Sequence, residues 1–155
     1  MKFDPLDKSW EEPKQLNEWG KQCVPPLEVP WLSHINFERS PVDLLSVGRF
    51  LMPTFIEFQN GIFLEMQFSE DGFDEWFQKL DDLCAVEQMI NHVHVYDVFG
   101  NAPNATEEEF VQAARLIHKT WEIALSVTFP DDNFDVNWHA SDADYGPTVT
   151  FRKVR

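Results

Sequence analysis

The chain has 155 residues, 27 acidic against 12 basic side chains, a formal net charge of -15, and 43% hydrophobic residues that include fourteen Phe and six Trp. That length suits one domain with a real core, and the apolar content argues against global disorder. A pI near 4.5, with no Lys/Arg cluster beyond Arg152, Lys153 and Arg155, disfavours nucleic-acid backbone binding and attraction to anionic membranes.

Residues 1–39 are rich in Pro and Trp: Pro5, Pro13, Pro25, Pro26 and Pro30 accompany Trp10, Trp19 and Trp31. Proline at this density resists long helices and central strands, and Trp is costly to leave in water. The expectation is an N-terminal arm over 1–39, packed by its indoles on a single domain over 40–155, with one short helix around Leu16. The opening residues lack an apolar core of the kind a signal peptide needs, and Val42 to Ile56 is interrupted by Asp43, Arg49 and Pro53. Two cysteines, Cys23 and Cys84, fit reduced thiols, so a cytoplasmic location is expected.

The first clear helix begins at Ser40, with Pro41 at the first helical position, Asp43 in the first turn and an apolar face of Leu44, Leu45, Val47 and Leu51. Pro53 ends it. Two β-prone runs, Thr54 to Gln59 and Ile62 to Phe68, flank Asn60-Gly61, which predicts a hairpin turning on those two residues. A helix over 71–83 follows, with Phe73, Trp76, Phe77, Leu80 and Cys84 inward and Asp74, Glu75, Gln78, Asp81 and Asp82 outward.

Val86 to Val98 reads as a turn of helix that becomes a strand through His92-Val93-His94-Val95-Tyr96. After a loop over 100–104, Thr106 and Glu109 form a capping box. The helix they open buries Phe110, Ala114, Ile117, Trp121 and Ala124, and stops at Pro130. Alternating strands then run through Phe134, Val136 and Trp138 and through Val149 and Phe151. The predicted class is α+β: a single domain with an antiparallel or mixed sheet of about five strands and three helices mainly on one face. Its order is α-β-β-α-β-α-β-β after the arm.

Chemistry-bearing patterns are sparse. His92 and His94, two apart on a strand, share a side and could bind a divalent transition metal with a carboxylate such as Asp97, Asp142 or Asp144. Asp131 to Asp135 opens like a calcium loop, but Val136 stands where that loop needs Gly. No nucleophile elbow, phosphate-binding loop or dinucleotide fingerprint occurs, and no cofactor is expected.

The acidic run is the stronger signal. Glu65, Glu70, Asp71, Asp74, Glu75, Asp81, Asp82 and Glu87 are opposed only by Lys79. Asp81 and Asp82 stand at the predicted C-terminal end of the 71–83 helix, where the macrodipole disfavours negative charge. A surface that gives up stability for negative potential suits a basic protein partner.

The segments Asn91 to Phe99 and Phe129 to Phe151 resemble patterns in small bacterial proteins of uncharacterised function. In size and acidity the chain is also similar to bacterial immunity proteins, which neutralise basic toxin domains by binding them; no residue role is carried over from that similarity. The leading expectation is therefore a non-enzymatic acidic protein-binding domain, an immunity-type inhibitor of a basic toxin or nuclease. Asp74, Glu75, Gln78, Asp81 and Asp82 would contact the partner. The alternatives are a metal-dependent enzyme using His92 and His94, and a structural domain whose acidity serves solubility.

Overall fold

The computed structural model describes residues 13–100, 102, 104–140 and 145–155. Pro5, Trp10, Asp142 and Asp144, invoked above, lie outside the described residues. The chain forms two compact units, Met1–Phe50 and Leu51–Arg155.

In the first unit the prolines start helices instead of preventing them. Pro13 is the N-cap of α1 (Lys14–Gln22), and Pro30 opens α2 (Pro30–Glu38), positions where a missing N–H leaves no helical bond unmade. The expected arm with one short helix is thus two helices. They meet where Gly20 faces Pro30: a Cβ at Gly20 would lie 2.6 Å from the proline ring, so only glycine allows this approach. The third helix, α3 (Pro41–Leu51), begins with a reciprocal cap. Ser40 N–H donates to Asp43 Oδ2 (2.8 Å), and Asp43 N–H donates to Ser40 Oγ (3.3 Å). The Ser40 backbone donor holds the Asp43 carboxyl below its usual range. The predicted apolar face of α3 is not buried: Leu44 is 73% exposed, Leu45 and Val47 are exposed too, and Leu51 is half-buried.

The second unit opens with the hairpin β1 (Phe55–Phe58) and β2 (Gly61–Leu64), paired Phe58↔Gly61 and Phe55↔Leu64. The turn falls one residue earlier than expected. Gln59 and Asn60 take the two positive φ angles, 46° and 65°. Gly61 belongs to the strand, paired with Phe58, and a Cβ there would lie 2.6 Å from the Phe63 ring. All four residues of β2 are buried, and the strand stops at Leu64, so the predicted return run to Phe68 is cut short by a turn.

The 71–83 helix divides into two. α4 (Glu70–Leu80) is capped by Ser69, whose Oγ accepts from Gly72 N–H, and ends at Asp81 in the left-handed region. α5 (Leu83–Ile90) is capped by Asp82. Phe63, Phe73, Val86 and Ile90 form a buried cluster here, with Phe58, Phe68, Trp76 and Leu83 packed against it. The strand expected over 92–96 shrinks to β3 (Val93–His94), followed by a short helix, α6 (Val95–Phe99). α7 (Glu107–Thr128) carries the predicted capping box and buries Ala114, Ile117, Trp121, Ala124 and Leu125. β4 (Phe134–His139) and β5 (Thr148–Lys153) close the chain.

The architecture is α+β, but the single five-stranded sheet and three helices are corrected. Seven helices and two antiparallel sheets, β1-β2 and β3-β5-β4, occur among the described residues. Side chains of α5 separate the sheets and join them. Ile62 and Leu64 direct their N–H groups off the outer edge of β2, toward α5. Glu87 Oε1 accepts from Ile62 N–H (2.8 Å), and Asn91 Oδ1 accepts from Leu64 N–H (2.9 Å). The same two residues reach β5: Glu87 Oε2 accepts from Lys153 N–H (3.1 Å), and Asn91 Nδ2 donates to the carbonyls of Ile62 (2.9 Å) and Phe151 (3.2 Å). A carboxylate and an amide one helical turn apart therefore substitute for a strand between the sheets.

Candidate functional site

Helical geometry sorts the side chains of α4 into three stripes. Phe73 is buried and Trp76 half-buried, anchoring the inner face. Asp74, Glu75 and Gln78 are exposed on the opposite side, and Asp81 continues that stripe at the cap. Phe77 stacks on Phe73 with centroids 5.6 Å apart, yet remains 37% exposed beside Asp74 and Asp81; Leu80 is equally exposed. Lys79, the helix's one cation, lies 4.9 Å over the Trp76 ring.

Asp82 has a different role from the one its sequence position suggested. Its carboxylate accepts from Cys84 N–H (3.1 Å) and Ala85 N–H (3.3 Å) at the positive end of α5, where negative charge is favoured. Asp81 occupies the left-handed C-cap, φ 48°, and its N–H donates to the Phe77 carbonyl. The electrostatic cost expected at a continuous helix terminus therefore does not apply to Asp82. Glu87, counted in the acidic run, is fully buried and contributes nothing to the surface.

The cations of the second unit are all engaged within it. Residues 51–155 hold nineteen acidic and six basic side chains, a net of −13. Lys79 covers Trp76, and Arg115 lies 5.1 Å over Trp138. Lys119 pairs with Glu122, Arg152 with Asp135, Lys153 with Asp132, and Arg155 with Glu87. With each cation held this way, the unit's field is set by its surplus acids.

His92 and His94 are brought together: their rings meet edge-on with centroids 4.7 Å apart. His94 Nδ1 lies 3.0 Å from the Tyr145 carbonyl, which can only accept, so that nitrogen carries the proton. His139 shares the register of His94 across Thr148, one strand further away. Among the described residues no three His, Cys, Asp or Glu side chains are gathered to hold a metal ion. Both cysteines are free thiols. Beside the histidines, the Tyr96 hydroxyl donates to Glu107 Oε2, and that carboxylate pushes the phenol above its usual pKa. No helix among the described residues is long and apolar enough to cross a membrane.

The interaction of Glu87, Asn91 and Arg155 escaped the sequence reading. One local signal was present: Glu87 stands among Leu83, Val86 and Ile90 on the apolar side of its helix. Its partner lies 68 residues away, and no spacing rule reaches that far. No protein-family model, curated protein or solved structure matches the chain.

Proposed function

We propose that this chain is a non-enzymatic protein-binding domain that docks a basic protein on the exposed face of α4, as an immunity-type inhibitor docks a cationic toxin or nuclease in the cytoplasm. The observation that carries this reading is the composition of that face. Asp74, Glu75, Gln78 and Asp81 form an exposed stripe that Phe77 borders along one side, in a unit whose six cations are engaged internally. Acids at a rim accelerate encounter, while a partly buried aromatic beside them supplies an anchor. Asp82 is assigned to capping and only flanks the contact.

A photo-crosslinking residue at position 78, used in the native cell, tests this reading. The expected adduct is one protein with a strongly basic contact domain, absent when the crosslinker is moved to Asn137 on the far sheet. An adduct with an acidic protein, or equal adducts from both positions, would contradict it.

A further inference from the structure

Glu87 is wholly buried, yet its carboxylate is positioned before any side-chain cation is counted. Backbone N–H groups of Ile62 and Lys153 hold one oxygen each, at 2.8 and 3.1 Å. The remaining lone pairs converge on one small volume, which the Arg155 guanidinium fills. Its Nη1 donates to Glu87 Oε2 (2.7 Å) and its Nη2 to Oε1 (3.0 Å), a planar fork on a carboxylate. Nη2 also donates to the Asn60 carbonyl (2.8 Å), and Nη1 lies 3.3 Å from Cys84 Sγ and 3.4 Å from the Lys153 carbonyl. The carboxylate and carbonyl oxygens around the volume are acceptors, and the Cys84 thiol, whose S–H is directed at the Lys153 carbonyl (3.9 Å), turns its sulfur to it as a weak acceptor. That set matches a guanidinium, which offers only donors in a plane, and suits a tetrahedral ammonium poorly. The Arg155 side chain is 31% exposed, so the volume opens to solvent.

We infer that the Glu87 site is a guanidinium receptor, occupied in cis by Arg155, that accepts an arginine side chain supplied in trans once the Arg155 side chain is removed. Occupancy in cis is intramolecular, so the tether keeps the site closed to dilute external ligands. The receptor is independent of the α4 face, and either can fail without the other.

The test is Arg155→Ala in the full chain, followed by thermal unfolding with added cations. Methylguanidinium and the blocked tripeptide acetyl-Gly-Arg-Gly-amide, each at about 10 mM, are expected to raise its Tm by about 4 °C. Ethylammonium chloride at equal ionic strength is expected to leave it unchanged, and so is either guanidinium ligand added to the wild type. The double variant Arg155→Ala/Glu87→Gln should lose the selective rise. If Arg155→Ala is unfolded at 25 °C, the same additions are read as far-ultraviolet circular dichroism regained. No rise or regained signal beyond the ammonium control, or an equal effect in the double variant, overturns the receptor. A response to methylguanidinium but not to the tripeptide overturns acceptance of an arginine side chain.

Discussion

Glu87 illustrates how a residue's chemistry depends on where its partners lie. By composition it adds to an acidic run; in the fold it is a buried carboxylate with two backbone donors and a bidentate arginine. Removing one member of such a pair strands a charge. Arg155→Ala is expected to cost about 3 kcal/mol, the low end for a buried pair because the guanidinium is partly exposed. Chemical denaturation measures this, and a loss below about 1 kcal/mol would show that the pair is not held as described. Tyr96 offers an independent check. Its phenol is raised by donation to the Glu107 carboxylate, so while that carboxylate is ionised this bond stabilises the fold below the unfolded pKa of the phenol. The contribution disappears as pH climbs through the higher folded pKa. Because the chain has two tyrosines, Tyr145→Phe isolates Tyr96. Its phenolate absorbance should have a midpoint above 10, and adding Glu107→Gln should lower it. A midpoint at 10 or below would remove the contact. Neither contact was legible in the sequence, since each joins residues from different elements.

At the scale of elements, local signals were readable and shared ones were not. The Thr106/Glu109 box and the buried stripe of α7 were legible because a cap and its helix lie within a few residues of each other. Thr106→Ala should cost about 1 kcal/mol and fray the first turn of α7, seen as faster amide exchange there. Asp82→Ala should cost about the same at α5, as expected of an N-cap; unchanged stability would return Asp82 to the exposed stripe. The hairpin was legible and its turn was not, by one residue. Gln59 takes a positive φ, and Gly61, in the strand, leaves no room for a Cβ against the Phe63 ring. Gly61→Ala is therefore expected to destabilise by about 1–3 kcal/mol through overpacking, although the position is no longer a turn residue. The prolines of residues 13–38 were misread for a related reason. Their density suggested extended chain, whereas Pro13 and Pro30 stand where helices begin.

At the scale of the molecule, the strands divide into two sheets because α5 intervenes with Glu87 and Asn91 in place of a ladder. Five strands were countable from alternation; their separation depended on two polar side chains that alternation does not record. Charge is the global property on which the functional proposal rests. The net of −13 over residues 51–155 is a sequence fact, while the direction it faces on α4 depends on Lys79 turning toward Trp76 and on Asp82 capping α5. The central claim is tested most directly by stopped-flow association of the crosslinked partner with the wild type and with Asp74→Lys/Glu75→Lys/Asp81→Lys, from about 20 mM to about 500 mM salt. The account predicts a wild-type on-rate that falls at least roughly tenfold across that range, and a variant that associates more slowly and with a weaker salt dependence. A variant that associates as fast as the wild type, with the same salt dependence, would contradict it.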